Sequence, residues 1–437
     1  MNPKPHLLAF DSLIPTIRRT FQLISDGRKP ESTDFPLADV LLSATAMMFF
    51  QDPALLAFQA RLKDRYRRNN LETLFGVHKT PKESQFRRLI DPVEPERIQA
   101  ANTMAIRKFQ RSRSWKNFHC LSGRSAVLLD GTEFFRSEKV HCKQCLEFHH
   151  RDGRIEYAHQ AVEAILVTPN QTEVIPLRAE EICRQDGSTK QDCEINSSKR
   201  LVPKLVADYP HLDFLFIADG LYSKMPMIKL VLENRASYLF VAKPTDHPHL
   251  EEELRGLRLA GGIETVEQQD DEGRIHRFEF AVSVPLFLEH PLTTNWISYT
   301  LLNSKGKIGY YNTWVTNIMP TAENVGEIAL VGRSRHKIEN EAFNTLKNQG
   351  FHLEHNFGHG KKHLSFNLFL LNVLAFLLHQ YLHLADRLYQ EALEARKASY
   401  RLWEDIRAAL RFFPWPDWRT LMLFLLDRGG TLRFESG

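Results

Sequence analysis

Two apolar segments of this 437-residue chain each end in an Asp-Gly pair, and this repeated pattern constrains the fold more than any other feature. The segment SAVLLDGTEFF, residues 125–135, runs from four apolar residues into Asp130. The segment FLFIADGLYS, residues 214–223, does the same at Asp219. One Asp-Gly pair after an apolar run is most simply a turn. Two of them indicate two buried strands that each end in a carboxylate, and the two carboxylates need a joint explanation.

The order of the predicted elements around these strands points to a fold class. Two further strands, 155–168 and 172–180, follow the first Asp-Gly strand and form a hairpin. Helical spacing at 198–209 precedes the second Asp-Gly strand, and a helix and another apolar strand come after it. This order matches an α/β (α+β) ribonuclease-H-like core, a mixed sheet flanked by helices. In such a sheet the two Asp-Gly strands can lie side by side, with both carboxylates at one edge.

The length of the chain predicts two or three domains. Its patterns divide it into five regions: a helical N-terminal domain (1–118), the first part of the ribonuclease-H-like core (119–243), a β-rich insertion (244–332), the last part of the core (333–385) and a helical C-terminal region (386–437).

Basic residues are concentrated in the N-terminal part of the chain. Residues 51–120 hold 15 Lys and Arg against 7 Asp and Glu, whereas the whole chain has a formal charge of +4. The stretches 61–70 and 107–116 mix cations with aromatic residues, among them Phe109 and Trp115, as a phosphate-binding surface would. A solvated helix face explains the same pattern equally well.

The sequence favours a cytoplasmic protein without a membrane partner. The N-terminus MNPKPHLLAFDSL lacks the long apolar core of a secretory signal. Polar residues, including Asn367 and Asn372, divide the apolar segment 364–386 into runs shorter than the roughly 20 residues that a membrane span needs. We therefore expect a buried core helix there. Five cysteines in 437 residues give no disulfide framework.

The two carboxylates predict a divalent metal ion. Carboxylates held close together repel, which raises the pKa of one of them unless a cation lies between them. Mg²⁺ binds oxygen ligands and keeps water or phosphate positions, and a third acid would complete a two-metal site for phosphodiester chemistry. The best candidate is Glu339, which on a helix borders the stripe of Phe343 and Leu346, with Glu341 as the second choice. A surface ion pair with Arg335 at i, i+4 is the alternative explanation of Glu339.

The segments LLDGTEFF, IADGLYS and RHKIENEAFNTLKNQG together resemble the DDE transposases of bacterial insertion sequences. More narrowly, they resemble the cut-and-paste class, which has a Tyr, Arg, Glu, Lys signature on the last catalytic helix and a β-rich insertion before it. The resemblance covers roughly residues 120–380, and it implies that the helical N-terminal domain in front (1–118) binds DNA. Asp219 follows Asp130 by 89 residues and Glu339 follows Asp219 by 120, which leaves room for the insertion.

The resemblance implies that Asp130, Asp219 and Glu339 bind two Mg²⁺ or Mn²⁺ ions. Water would be activated to cut DNA at the ends of the element, and the freed 3′ hydroxyl would attack target DNA. The resemblance also implies double-stranded DNA as the partner, both inverted-repeat ends and target, and a homodimer on that DNA. The protein would be associated with the bacterial nucleoid when bound.

The signature implies that Arg335 and Lys347 contact DNA phosphates, but the sequence departs from it twice. The Tyr expected three residues before Arg335 is Gly332, and Lys347 follows Glu339 by eight residues instead of seven. Because one residue of an α-helix turns about 100°, we expect Lys347 to point in a different direction from its counterpart.

Lys199 and Arg200, near the start of the helix before the second Asp-Gly strand, are further candidates for DNA contact. A charge cluster at a helix start explains them equally well. Two other functions stay open: a ribonuclease-H-like nuclease without strand transfer, and an inactive domesticated transposase that acts as a DNA-binding protein. The presence of all three acids argues against the inactive form.

Four residues after the first Asp-Gly strand form a candidate structural zinc site: Cys142, Cys145, His149 and His159. The two cysteines have the C-x-x-C spacing of a zinc knuckle, and Cys183 and Cys193 are alternative third and fourth ligands. Ordinary loop residues with reduced thiols explain the same pattern. The histidine-rich segment 351–363 would line the DNA path or serve as a polar linker.

Overall fold

The apolar runs of the sequence form the central strands of one large sheet in the computed structural model, which describes residues 4–29, 33–61, 70–184, 192–288 and 290–427. The strands are β1 (His119–Cys120), β2 (Arg124–Ser137), β3 (Leu146–His149), β4 (Ile155–Leu166), β5 (Ile175–Ile182), β6 (Phe214–Ala218), β7 (Ser237–Val241), β8 (Glu264–Gln269), β9 (Ile275–Phe287), β10 (His290–Leu302) and β11 (Ile308–Thr316).

The helices surround this sheet. They are α1 (Phe10–Gln22), α2 (Leu37–Phe49), α3 (Leu55–Arg61), α4 (Asn70–Phe75), α5 (Glu83–Ile90), α6 (Pro95–Ser112), α7 (Glu194–Asp208), α8 (Met225–Glu233), α9 (Pro248–Ala260), α10 (Val325–Arg333), α11 (Asn344–Asn348), α12 (Leu364–Ala385), α13 (Arg387–Arg396), α14 (Ser399–Phe412) and α15 (Trp418–Leu425). A π-helical turn, Ile338–Phe343, runs directly into α11.

The sheet contains the predicted ribonuclease-H-like core. Five strands lie in the order β5, β4, β2, β6, β7. The pairs β2 with β6 and β6 with β7 are parallel, whereas β4 is antiparallel to both β2 and β5. This is a mixed sheet in which the two strands that lead to Asp130 and Asp219 are neighbours. Helix α7 packs on β4 and β5, and α12 also packs on β5.

The β-rich region continues the same sheet. Strands β8, β9, β10 and β11 form an antiparallel meander, and β11 pairs antiparallel with β7. Helix α9 packs on β9. The region is therefore attached edge to edge to the core through the β7 and β11 pair.

The helices before residue 118 share one hydrophobic core with the rest of the protein. Helix α2 packs along α12, and the Phe10 ring stacks on the Trp418 ring with their centroids 5.1 Å apart. The His379 imidazole of α12 lies 2.9 Å from the Phe49 carbonyl at the end of α2. Packing thus marks no boundary at residue 118, and the division into five regions stays a prediction.

Helix α12 is long and apolar enough to cross a membrane by composition alone, but 83% of its most apolar 18-residue window is buried inside the protein. The side chains that interrupt its apolar sequence have partners in the core. The Asn367 amide donates to the carbonyls of Ile90 and Val93, and the Asn372 amide donates to the Phe351 carbonyl. The expectation of a buried core helix agrees with this packing.

Candidate active site

The sheet register brings Asp130 and Asp219 to adjacent positions. Leu128 of β2 is paired with Ile217 of the parallel strand β6, so Asp130 and Asp219 both follow two residues later. In each aspartate one carboxylate oxygen is engaged by the local backbone. Oδ1 of Asp130 accepts from the Gly131 N–H at 3.0 Å, and Oδ1 of Asp219 accepts from the Leu221 N–H at 2.8 Å. A turn follows Asp219, as the turn interpretation predicts. Asp130 and Gly131 instead lie inside β2, which continues to Ser137, so the expectation that the first strand ends at Asp130 is wrong.

The Arg335 guanidinium joins these two aspartates to Glu339. One guanidinium nitrogen lies 3.2 Å from Oδ2 of Asp130 and 4.0 Å from Oδ2 of Asp219. The other donates to Oε1 of Glu339 at 2.6 Å. The i, i+4 ion pair between Arg335 and Glu339 is present, and it places Glu339 beside the aspartates.

The carboxylates carry more negative charge than Arg335 offsets. Burial raises the pKa of Asp130 to about 7; Arg335 opposes this shift, and the carboxylates of Glu194, Asp219 and Glu339 add to it. Because the carboxylates outnumber the single guanidinium, binding of a further cation among them is electrostatically favourable.

Glu194, in the first turn of α7, is a fourth carboxylate at the site that the sequence analysis did not assign to it. A Cβ atom added to Gly131 would lie 2.7 Å from Oε2 of Glu194, so the glycine allows the close approach of this side chain. Burial also raises the pKa of Glu194. The only sequence signal was the glycine after Asp130, which was attributed to a turn.

These side chains suit Mg²⁺ or Mn²⁺ by their chemistry. Carboxylate oxygens are the ligands that these ions prefer. Oε1 of Glu194 is buried and has no hydrogen-bond partner among the described residues. Buried polar atoms usually have a partner, and a bound cation would supply one here. The residues that would hold the ions are Asp130, Asp219, Glu339 and Glu194.

The three other residues expected to contact DNA each have a neighbouring polar partner. Lys347 forms an ion pair with Glu354 at 2.9 Å. Arg200 pairs with Asp192 at 2.8 Å and with Glu180 at 3.1 Å. The Lys199 ammonium lies 3.4 Å from the side-chain oxygen of Asn196.

Both departures from the transposase signature have a structural reason. A Cβ atom added to Gly332 would lie 2.8 Å from the Trp314 indole, so no tyrosine fits at residue 332. Between Glu339 and Lys347 lies the π-helical turn, which holds one more residue per turn than an α-helix. The segment from Glu339 to Lys347 therefore departs from regular α-helical geometry, and the direction of Lys347 relative to its counterpart stays a prediction.

The aromatic residues of the basic stretch 107–116 belong to the core. Phe109 and Trp115 are buried, and the Phe109 ring packs on the Tyr381 ring of α12. These two rings are therefore core residues, and the phosphate-binding surface and the solvated helix face both stay open as explanations of the cations in the stretch. The other basic stretch, 61–70, lies largely outside the described residues, which exclude 62–69.

A second group of ligand atoms lies where β2 leads into β4. The side chains of Cys142, Cys145, His159 and His359 place one ligand atom each so that all four lie within 4.8 Å of one another. His149 is not among them: it is exposed, and its ring lies 3.6 Å from Glu147. The fourth position belongs instead to His359, from the histidine-rich segment after α11. Cys183 and Cys193 are not part of this group either.

Comparisons by sequence and by structure give different results for this chain. No protein-family model and no curated protein matches the sequence. Among solved structures, the chain is similar to a piggyBac transposase synaptic complex with hairpin DNA, with 11% sequence identity and a TM-score of 0.38. That similarity covers 98% of this chain and 82% of the other.

Proposed function

We propose that this protein is a metal-dependent DNA transposase that cleaves the ends of a mobile element and joins them to target DNA. One observation carries the proposal: Asp130, Asp219 and Glu339 are brought to one guanidinium at the edge of a ribonuclease-H-like sheet. Local interactions cannot explain this convergence, because β2, the end of β6 and the π-helical turn are far apart in sequence.

The acids of the site would hold two Mg²⁺ or Mn²⁺ ions, with Asp130, Asp219 and Glu339 as the main ligands and Glu194 as an additional donor. When bound, such ions lower the pKa of a water molecule and stabilise the charge on the oxygen that leaves phosphorus. The pairing of β2 with β6 sets the separation of Asp130 and Asp219, and a local backbone N–H group orients one oxygen of each.

Arg335 neutralises the carboxylates and is also the side chain best placed to meet a DNA phosphate. Its Nε is buried and has no hydrogen-bond partner among the described residues, and 24% of its side chain is exposed. A guanidinium binds phosphate with two parallel hydrogen bonds. We infer that Arg335 turns from the carboxylates to the phosphate when DNA and metal ions enter.

The partner would be double-stranded DNA, as inverted-repeat ends and as target, with two copies of the chain pairing two ends. Lys347, Lys199 and Arg200 would contact phosphates farther from the acids. The protein would act in the bacterial cytoplasm, on the nucleoid.

The proposal is tested with Asp219→Asn and a plasmid that carries the gene with its own flanking DNA. Asparagine keeps the oxygen that accepts from the Leu221 N–H but removes the charge. The matched control is Asp213→Asn, at the other end of β6, where the carboxylate is exposed and lies 3.6 Å from Arg124. We expect Mg²⁺-dependent cleavage at the flanks by the wild type and the control, and none by Asp219→Asn.

Cleavage by Asp219→Asn at the wild-type rate would contradict the assignment of the site. Joining is measured separately, with supplied duplexes that end in the flanking sequence and carry a free 3′ hydroxyl. Cleavage without any joined product would identify a nuclease without strand transfer, and binding without cleavage by the wild type would identify an inactive DNA-binding protein.

A further inference from the structure

Two distant parts of the chain contribute the Cys/His group described above. Cys142 and Cys145 lie in the turn between β2 and β3, and His159 lies on β4. His359 comes 214 residues after Cys145, in the segment between α11 and α12. Its ring also packs edge-on against Phe135 of β2, with the ring centroids 4.1 Å apart.

The distances within the group are those of a tetrahedron around a single ion. The two sulfurs are 3.7 Å apart. The Nε2 atom of His159 is 3.3 Å from the Cys142 sulfur and 3.4 Å from the Cys145 sulfur, and Nδ1 of His359 is 3.8 Å from the Cys145 sulfur. Zn–S bonds of about 2.3 Å and Zn–N bonds of about 2.0–2.1 Å give tetrahedral edges of about 3.8 Å between sulfurs and about 3.5 Å between sulfur and nitrogen.

The surroundings of the ligands are those of a metal site. The Cys142 backbone N–H donates to the Cys145 sulfur at 3.3 Å, which favours a thiolate. The Nδ1 atom of His159, on the side of the ring away from the sulfurs, lies 3.4 Å from the Glu181 carboxylate. A carboxylate behind a metal-binding histidine orients the ring and increases its basicity. Cys145 and His159 are 0% and 1% exposed, so the group is closed to solvent on that side.

We propose that Cys142, Cys145, His159 and His359 bind one Zn²⁺ ion. The ion would link the segment between α11 and α12 to β4 and to the turn that follows β2, the strand of Asp130. Four protein ligands leave no open position, so the ion is structural. An iron–sulfur cluster of the Cys₂His₂ type places its two cysteines and its two histidines on different irons. The sulfur to nitrogen distances of 3.3–3.8 Å fit ligands that share one ion.

Metal content of the full-length protein tests the proposal. The chain is purified without chelator, any histidine tag is removed, and zinc and iron are measured by ICP-MS. We expect about one zinc per chain. Less than a tenth of a zinc per chain, or iron together with inorganic sulfide, would overturn the proposal.

Variants test which histidine is the fourth ligand. His359→Gln is expected to reduce bound zinc at least tenfold when the protein is dialysed against a competing chelator. His149→Gln is the matched control, since His149 lies at the end of β3, beside the strand of His159, but outside the group. This variant is expected to keep one zinc. Loss of zinc from His149→Gln but not from His359→Gln would show that His149, and not His359, is the fourth ligand.

A measurement on wild-type protein avoids the risk that a variant does not fold. Replacement of the bound metal by Co²⁺ gives intense visible absorption when the ion is tetrahedral and bound to thiolates. We expect that spectrum from the wild-type chain. The weak spectrum of octahedral Co²⁺ would contradict the proposed ligands, even if zinc is present. Neither result depends on DNA cleavage, so the zinc proposal and the transposase proposal fail separately.

Discussion

The two groups of ligand-type side chains each include residues of β2 or of the turn that follows it, and they differ in almost every physical property. The acids around Arg335 are hard oxygen ligands, and the side chains of Asp219 and Glu339 are 41% and 55% exposed. The group around Cys145 consists of soft sulfur and imidazole ligands in the interior. Its ligand atoms already converge, whereas the acids surround a guanidinium.

This difference is the one expected between a catalytic metal site and a structural metal site. An open site of oxygen ligands leaves positions for water and phosphate, as a reaction at phosphorus requires. A closed site with four sulfur and nitrogen ligands leaves none. We therefore expect changes in the first group to alter activity with little loss of stability, and changes in the second to do the opposite.

The largest effect is expected from Asp130→Asn. Loss of the charge that holds the metal ions should reduce Mg²⁺-dependent cleavage by about 10³-fold or more, the scale on which electrostatic groups of active sites act. The temperature of unfolding should not fall, because a neutral amide replaces a buried carboxylate among other acids. Cleavage rate and thermal unfolding are measured on the same preparation. A matching loss of stability would remove the distinction between the two groups.

Cys145→Ser should give the reverse pattern. Loss of a metal site belongs to the mechanisms that destabilise by about 4 kcal/mol or more, and urea unfolding in buffer with zinc measures the change. The control Cys183→Ser, a half-buried cysteine outside the group, should cost about 1 kcal/mol or less. An equal loss in both variants would show that packing of the thiol, and not metal binding, stabilises this region.

Glu163 of β4 sharpens the comparison, because it is a buried acid that belongs to neither group. It is paired with Asp130 across the β2 and β4 ladder, and neither of its carboxylate oxygens has a hydrogen-bond partner in the described part of the chain. Burial raises the pKa of Glu163 from 4.5 to about 8. Between these values the folded protein keeps a proton that the unfolded chain releases, so this group makes the free energy of unfolding fall as pH rises.

Glu163→Gln should therefore be more stable than the wild type, by an amount that increases from about pH 5 to pH 8. The limit of the increase is about 1.4 kcal/mol per pH unit. Urea unfolding at several pH values measures it, with Glu252→Gln, an exposed position of α9, as the control. A constant difference between Glu163→Gln and wild type across that range would contradict the buried, protonated state.

The smallest effect is expected from Gly131→Ala. The added methyl group would displace the Glu194 carboxylate, whose flexible side chain can move, so we expect a loss of about 1 kcal/mol or less in stability. Cleavage should fall about tenfold, because Glu194 supplies only an additional oxygen. Glu194→Gln should give a similar loss of cleavage, and the double variant should lose little more. Additive losses would show that Gly131 acts independently of Glu194.

The sequence contained enough information for the sheet and for the placement of the first two acids. Both apolar runs form buried strands, and these are parallel neighbours as expected. Only β6 ends at its Asp-Gly pair, because β2 continues through Asp130 to Ser137. Glu339 followed from helix spacing and the signature of a family. The ion pair with Arg335, which is the ordinary explanation of Glu339, turned out to be part of the same site.

Glu194 and His359 could not be predicted, because each depends on a contact made only in the folded chain. Glu194 can approach the other acids because Gly131 has no side chain in its way. His359 is positioned by the packing of its ring on Phe135. His149 was closer to the cysteines in sequence, but it points to solvent. Sequence distance is a poor guide to the fourth ligand of a metal site.

The shared core of the N-terminal helices did have a sequence signal. Helix α2, LADVLLSATAMMF, is apolar around most of its circumference, and all 13 of its residues are buried. A helix of this kind must be covered on every side, which a small separate domain cannot provide. Its cover is α12, whose sequence is apolar in the same way.

The sequence separation of 214 residues between Cys145 and His359 also has a consequence for the order in which the two sites are completed during synthesis. A ribosome that adds about 5–20 residues per second needs about 10–40 s to pass from the first of these residues to the second. Through that interval the strand bearing Asp130 exists without Glu339 and without the segment that follows it. On the proposed function, the nascent chain would gain cleavage activity only once the last quarter of the polypeptide has begun to fold onto the sheet.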